Sequence, residues 1–299
     1  MSVKPYAPTV KQAPVQRLYT TTVSQARVQL FQPTRRPLEC TRQIATPWGS
    51  GTITGKLGQT HADYVEAVHY NALDWKSIPG GGLAVLVDPH HVRRCMSKGE
   101  KFSGEQVKAI TGDLMRALVH LTIAIPHGPA LNFRGALVSS IADSLERRPN
   151  PLEKGADRPL NIVTFSPAYA SLLDVDLPLD YDPRPFSRLR SGVAAAVARH
   201  IYTHRSEPMG GWKLDTLIAA VGAACSNGAI RERRSELREE AAVAALATLG
   251  VYVRGDRVFF EKRGASAPAR GLSAPLRGVS APLVEHPPPD GRIVQALQA

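Results

Sequence analysis

Apolar residues in the last third of the chain follow a helical spacing over three stretches. Ser187 is a suitable N-cap for the first helix, Asp215 is suitable for the second, and the third runs from about Ala229 to Leu249. Two short extended runs follow and flank Gly255-Asp256, a two-residue sequence that favours a hairpin turn. The order of helix, short strand, helix, long helix and ribbon predicts a winged-helix domain over residues 186–262.

The long helix separates its charged residues into stripes. At 100° per residue, Arg231, Arg234 and Arg238 lie next to the apolar stripe, and the glutamates lie on roughly the far side. Several neighbours at i, i+4 have the same sign, which costs roughly a few tenths of a kcal/mol per pair. A polyanion along the arginines explains this arrangement better than a solvated helix with paired charges. The apolar stripe, which we expect in the core, consists of Ile230, Leu237, Ala241 and Ala244.

A similar succession of patterns occurs upstream. Ser103 and Gln106 can form a capping box for a helix that we expect over residues 104–121, and extended runs follow at about Leu131–Ser139 and Asn161–Phe165. Together with two shorter helices before it, this order predicts a second winged helix. Its long helix carries one lysine and one arginine against two acids, so the charges favour DNA reading by the downstream domain.

The net charge of +11 is unevenly distributed. Residues 1–46 hold seven basic side chains and one acidic side chain, residues 262–299 hold five and two, and the remainder is nearly balanced. The global charge by itself is therefore weak evidence for nucleic-acid binding.

The predicted fold class is α+β, with two winged-helix domains in tandem. The last residues contain three copies of R-G-x-S-A-P between Arg263 and Pro282, and glycine and proline in each copy favour a disordered extension. We expect a flexible basic arm at 1–46, an N-terminal winged-helix-like domain at 47–173, an acidic linker at 174–185, a C-terminal DNA-reading domain at 186–262 and a disordered tail at 263–299.

Cysteine usage and hydropathy bear on the compartment. The three cysteines are widely spaced and suggest neither a disulfide framework nor a zinc site. No apolar run approaches the ~18–20 residues that a membrane span needs, and the first residues lack the apolar core of a signal peptide. We therefore expect a soluble cytoplasmic protein.

Candidate groups for catalysis are few. The glycine-rich stretch at 48–57 fails as a phosphate-binding loop, because Ser50 and Leu57 stand where glycine and a magnesium-binding hydroxyl are needed. Asp174 and Asp176 could bind magnesium ions as in primases, although a solvated acidic linker is the simpler interpretation.

Histidine pairs also give little support for a metal site. His90 and His91 are adjacent, so their side chains diverge. His200 and His204 are four residues apart on a helix and could share a metal, but the first falls on the inner side of that helix. We expect no enzyme activity, no cofactor and no metal.

Several segments together resemble plasmid replication-initiation proteins of the tandem winged-helix type. The resemblance covers roughly residues 60–262 and rests on Asn161-Ile-Val-Thr-Phe-Ser-Pro, the Arg188–His204 helix, Gly211-Trp-Lys-Leu-Asp-Thr-Leu and the arginine-rich helix. It implies binding to direct repeats in double-stranded DNA at a plasmid origin, opening of adjacent DNA, and recruitment of the host replication initiator and replicative helicase. The upstream domain would contact the DNA backbone or a neighbouring copy, so a homodimer is one expectation.

We expect the DNA contacts on the long helix, the hairpin, the start of the first helix and the short strand before the second helix of the downstream domain. A transcriptional repressor with the same fold is one alternative, and a primase-like enzyme using the two linker aspartates is another. The expected DNA-binding residues are Arg231, Arg233, Arg234, Arg238, Arg254, Arg257, Lys213, Arg188 and Arg190.

Overall fold

The structure, a computed structural model, describes residues 18–96, 102–125, 128–150 and 155–261. Within these ranges, ten helices and four small sheets form a mixed α+β fold. None of the described helices has the length and apolar content needed to cross a membrane. The helices are α1 (Val23–Arg27), α2 (Gln59–Tyr70), α3 (Pro89–Met96), α4 (Gly104–Arg116), α5 (Pro167–Val175), α6 (Arg184–Ser187), α7 (Gly192–Tyr202), α8 (Leu214–Ala220), α9 (Asn227–Arg238) and α10 (Glu240–Ala247). The strands are β1 (Thr21–Thr22), β2 (Cys40–Thr46), β3 (Gly49–Gly55), β4 (Ala72–Ser77), β5 (Leu83–Val87), β6 (Leu118–Ile123), β7 (Leu131–Gly135), β8 (Val138–Pro149), β9 (Asp157–Phe165), β10 (Pro178–Leu179), β11 (Trp212–Lys213), β12 (Val251–Arg254) and β13 (Arg257–Phe260).

The two halves of the chain repeat one order of elements. The upstream half contains α2, β5, α3, α4, β8 and β9, and the downstream half contains α7, β11, α8, α9, β12 and β13 in the same places. The sheet orders correspond as well. The strand order is β5-β9-β8 in one half and β11-β13-β12 in the other, and every pairing is antiparallel. The upstream half adds β4 to this sheet and carries a second sheet in the order β2-β3-β6-β7, which was not expected from its sequence.

Helix α4 is shorter than expected. The capping box is formed as predicted, because the Ser103 amide donates to Gln106 Oε1 at 2.8 Å and the Gln106 amide donates to Ser103 Oγ at 3.1 Å. The helix ends at Arg116, however, and the expected extension to residue 121 is wrong. Residues 118–123 form β6 instead, with exposed and buried positions in strict alternation. Three of its six residues are β-branched (Val119, Thr122 and Ile123), which favours the strand, and it pairs with β3 and β7.

The chain from residue 18 to 46 differs from the flexible arm expected at 1–46. Val28 is 1% exposed and Leu30 is 2% exposed, and both belong to the upstream core. The same segment forms α1 and the edge strand β2. Apolar residues within a basic stretch are sufficient to anchor it, since burial of each one is favourable by roughly 1.5–3 kcal/mol. Residues 1–17 and the expected tail at 263–299 lie outside the described residues.

The single long helix expected over residues 229–249 is wrong, because the chain breaks at Glu239. Its φ of −56° and ψ of 135° are extended, and they separate α9 from α10. Leu237 is fully buried as expected, but Ala241 and Ala244 are exposed and Leu246 takes their place in the core.

A buried group of charged and polar residues joins the two halves. Arg199 of α7 is 5% exposed and donates to Glu66 at 2.7 and 2.8 Å, to Asp63 at 2.6 Å and to Gln59 at 2.7 Å, all on α2. Arg35 pairs with the second oxygen of Asp63. We call Arg35, Gln59, Asp63, Glu66 and Arg199 the interface cluster. Its charges balance, and its hydrogen bonds fix how the halves meet.

Residues 32–37 form a strap across this interface. Arg35 donates to the carbonyl oxygen of Leu189 at 2.8 and 3.1 Å. The strap passes so close to the start of α7 that a Cβ at Gly192 would lie 2.3 Å from the Cα of Thr34. Only glycine permits this approach.

The segment expected as an acidic linker packs against the first described residues. Asp176 is 5% exposed, and its carboxylate accepts hydrogen bonds from the Ser24 amide at 2.7 Å and the Ser24 hydroxyl at 3.0 Å. Strand β10 pairs with β1, and the Tyr181 hydroxyl donates to Glu66 at 2.8 Å. Residues 176–181 therefore belong to the packed interface between the halves.

Candidate nucleic-acid interface

Helix α9 is held by its core side so that its outer side faces solvent. The turn before it includes Gly222 at a φ of +74°, a backbone conformation that favours glycine. Ser226 caps the helix, since its hydroxyl accepts a hydrogen bond from the Ala229 amide at 3.1 Å. Leu237 is fully buried and anchors the last turn. The position of the helix thus follows from a turn, a cap and an apolar contact.

The outer side of α9 presents the three arginines of the predicted stripe. Arg231, Arg234 and Arg238 line one shallow concave surface with Ser235 and Glu239. We call this surface the arginine face. Arg231 is exposed and has no hydrogen bond or ion pair with any other described residue.

The other two arginines of this face pair with carboxylates from different elements. Arg234 donates from Nε and Nη2 to the two oxygens of Asp215, in the first turn of α8. Arg238 donates from Nη2 to Asp256 and from Nε to the carbonyl oxygen of Gly255 at 3.2 Å, both in the β12–β13 turn. The hydrogen bond from Arg234 lowers the pKa of the Asp215 carboxyl, and the same bond raises the pKa of Arg234.

Arg233 lies apart from this face. Its Nη1 donates to Glu236 of the next turn at 2.9 Å, and both side chains are partly buried. This pair at i, i+3 is a local helix contact of the kind that stabilises an isolated helix modestly. Of the four arginines expected on the long helix, the structure therefore brings three together.

The sheet of the downstream half carries a row of three basic residues. Lys213 pairs across the ladder with Arg257, and Arg257 pairs with Arg254. Directly opposite residues lie on the same side of a sheet, and like charges in that position are destabilising. All three side chains are exposed, and Arg254 also packs over the ring of Phe259 at 5.4 Å. We call these residues the basic row.

The arginine face and the basic row adjoin one another. Lys213, Asp215, Arg234, Asp256 and Arg257 line a single depression between α9 and the sheet. Six basic residues on these adjoining surfaces outnumber the three carboxylates among them, which are Asp215, Glu239 and Asp256. Lys213, Arg231, Arg254 and Arg257 form no ion pair with a described acid.

Arg188 and Arg190 lie near the C-terminal end of α9. They are exposed and precede α7, and they line a groove with Glu239 and the start of α10. Glu239 also borders the arginine face, so the two surfaces meet at this residue. The structure thus places these arginines next to the junction of α9 and α10, outside the depression that holds the basic row.

Sequence reasoning missed the two carboxylates that hold the arginine face. Asp215 was expected to be the N-cap of α8, but the cap position is Lys213 and Asp215 lies in the first turn. Asp256 was expected only as a turn residue. The partners are 19 and 18 residues apart, so no local spacing rule pairs them.

The remaining candidate residues differ in their burial. Asp174 is exposed whereas Asp176 is buried on Ser24, so the two carboxylates of the primase-like alternative have different surroundings. His200 Nε2 lies 3.4 Å from His204 Nε2, and burial lowers the pKa of His200 to about 4. Within the described ranges, no three His, Cys, Asp or Glu side chains are grouped so as to hold a metal ion.

The chain was compared with known proteins at three levels. No family model, no curated protein and no solved structure matches it.

Proposed function

We propose that the protein binds double-stranded DNA in a sequence-specific manner through its downstream half, which we interpret as a winged helix. In this interpretation α9 enters the major groove and the β12–β13 hairpin is the wing. The repeated element order and the matching sheet orders support a second, upstream winged helix with additional strands.

The observation that carries the proposal is the basic row beside the arginine face. Three like charges aligned across a small sheet weaken the fold unless an anion neutralises them. The row continues directly into exposed arginines on α9, so the positive surface extends along a helix and a hairpin at once. A DNA duplex presents phosphates on both sides of a groove and fits such a surface.

The two helices that follow the same order differ in their charges. On α4, Lys108 pairs with Glu105 at 2.9 Å and Arg116 pairs with Asp113 at 2.6 Å, both within the helix. These pairs leave no free positive charge on α4. We therefore assign groove reading to α9 and a scaffolding role to the upstream half.

Within this proposal, the DNA sites are direct repeats at a plasmid replication origin. The initiator role, and with it recruitment of the host replication initiator and replicative helicase, follows from the family resemblance alone.

The test is footprinting of the full-length protein on DNA adjoining its own gene. We expect protection of direct repeats within an A·T-rich region. Protection of one palindrome over a promoter would instead indicate a repressor. Equal binding to all fragments would contradict sequence-specific reading.

A further inference from the structure

The arginines of the arginine face differ in which edge of the guanidinium is occupied. A guanidinium has a side edge, formed by Nε and Nη2, and an end edge, formed by Nη1 and Nη2. In Arg234 both donors of the side edge point to Asp215. The end edge remains complete, with one N–H on each of the two terminal nitrogens.

Arg238 has the same arrangement with different partners. Its Nε donates to the carbonyl oxygen of Gly255 at 3.2 Å, and its Nη2 donates to Asp256. The side edge is again occupied by the neighbouring element, and the end edge is again free. Arg231 has no such support from any described residue.

An end edge held in this way matches one base in the major groove. Guanine presents O6 and N7 as two adjacent acceptors, and an arginine donates to both at once. An arginine whose side edge is already bound has fewer orientations available, so less conformational freedom is lost when it contacts the base.

We infer that Arg234 and Arg238 read guanines through their end edges, and that Asp215 and Asp256 are the positioning residues that orient them. This inference rests on the proposed DNA-binding function. Arg231, which lacks a carboxylate partner, contacts a phosphate in this arrangement.

The two carboxylates have a second effect on specificity. Their side chains are 45% and 79% exposed, so they place negative charge within the surface that meets DNA. Each carboxylate repels the phosphates of any DNA sequence. A correctly placed guanine compensates for this repulsion, because it binds the arginine that the carboxylate orients. Exposed ion pairs contribute little to stability, so their removal leaves the fold intact.

The experiment compares Asp215→Asn with Glu232→Gln in the full-length protein. Both variants remove one negative charge from this region, but Glu232 is exposed and has no ion pair with another described residue. Affinity is measured by fluorescence anisotropy on the footprinted site and on a random duplex of equal length. Thermal unfolding of each variant checks that the fold is retained.

We expect Asp215→Asn to bind random DNA more tightly and the specific site less tightly, so that the ratio of the two affinities falls at least about tenfold, within the range of one base contact. Glu232→Gln should raise both affinities together and leave the ratio unchanged. Replacement of single guanines by 7-deazaguanine, which lacks the N7 acceptor, should weaken wild-type binding at one position but have little effect there on Asp215→Asn.

Two results would overturn the inference and leave the proposed function standing. One is an equal change in the ratio of specific to random affinity in Asp215→Asn and Glu232→Gln, which would show that net charge alone causes the effect. The other is an unchanged 7-deazaguanine profile in both Asp215→Asn and Asp256→Asn. If the wild-type protein fails to distinguish the site from random DNA, the proposed function fails and the inference falls with it.

Discussion

Helices α4 and α9 occupy the same place in the two halves but treat their charges in opposite ways. On α4, each basic residue pairs with an acid three positions away on the same helix. On α9, Arg234 and Arg238 pair with acids on other elements, and Arg231 has no partner among the described residues. Pairing within a helix neutralises its surface, whereas pairing across elements fixes the direction of the arginines, which in the proposed function is toward DNA. The same element order can therefore serve as a scaffold in one half and as a binding surface in the other.

The two halves can have different roles only if they stay in fixed contact. The largest expected effect on stability therefore comes from a substitution at their interface. Arg199→Met leaves two acids of the interface cluster buried with fewer partners, and we expect a loss of about 3–5 kcal/mol in the free energy of unfolding. Urea denaturation measures this loss. Arg188→Met, at an exposed arginine, serves as the control and should change stability by less than about 0.5 kcal/mol.

A thiol reports whether the interface itself opens in this variant. Cys95 is buried, and its carbonyl accepts a hydrogen bond from the Ser187 hydroxyl at 2.9 Å across the interface. Burial raises the pKa of its thiol to about 12, whereas Cys40 and Cys225 are exposed. Native wild-type protein should show two reactive thiols and one protected thiol. An unchanged rate for Cys95 in Arg199→Met would contradict the role of the cluster in holding the halves together.

The next effect concerns a property that the two halves share. His69 on α2 and His200 on α7 are both buried, and desolvation lowers the pKa of each to about 4. An unfolded histidine has a pKa near 6.5, so the unfolded state binds more protons between pH 6.5 and 4. Stability should therefore be highest above pH 6.5 and fall as the pH decreases, by up to about 3 kcal/mol per histidine at pH 4.

Chemical denaturation across this pH range checks the assignment. His69→Phe keeps a ring against Phe165 and Tyr169. It should reduce the slope of the unfolding free energy against pH by up to about 1.4 kcal/mol per pH unit. His200→Phe should act in the same way. A slope that neither change reduces would show that other groups cause the acid sensitivity.

A smaller effect tests the comparison directly. Arg234→Ala should lower affinity for the footprinted site by about 5- to 150-fold, equivalent to ~1–3 kcal/mol, and lower it less on random DNA. Arg116→Ala on α4 is the matched control and should leave both affinities unchanged. Competition binding at fixed salt measures both variants. Equal losses from the two substitutions would mean that both helices contact DNA.

The smallest expected effect is on salt dependence. Replacement of Arg254 and Arg257 by alanine should make the plot of log K against log salt shallower by up to about 1.8, the value for two phosphate contacts. The corresponding hairpin upstream supplies the control, Arg147→Ala with Arg148→Ala, for which we expect an unchanged slope. A wild-type slope in the first variant would place the β12–β13 turn away from the DNA backbone.

Local rules predicted much of the downstream half. The order of its elements, the Ala229 to Leu237 portion of its long helix and the turn at Gly255 follow from periodicity and glycine, which the sequence displays. The expected caps were wrong, because Ser187 lies in α6 and α7 is capped by Ser191, while Asp215 lies inside α8. The break at Glu239 contains neither glycine nor proline, so no local signal marks it, and the burial of Leu246 beyond it is a tertiary contact. Charge segregation on α9 likewise identified the arginine face but gave no sign of the carboxylates opposite it.

The upstream half was harder to predict because the apolar residues at 114–123 fit both the helical and the strand periodicity. Leu114, Leu118 and Leu121 fit a helix, whereas Val119, Leu121 and Ile123 fit a strand, and pairing with β3 decides between them. The arm failed as an expectation for a related reason. Its few apolar residues look isolated in sequence, and only the tertiary structure supplies the surfaces that bury them.

The strap has a consequence for the order of folding. Arg35 and Leu189 are 154 residues apart in sequence, and Gln29 reaches the carbonyl of Ala220 across 191 residues. Contacts between such distant positions carry a large loop-closure entropy and form late. On the ribosome, residues 32–37 emerge long before α7 exists, so they must wait without their final partner. The two halves therefore become one unit only after the downstream chain has been synthesised, and closure of the strap over Gly192 is a late step in forming the native protein.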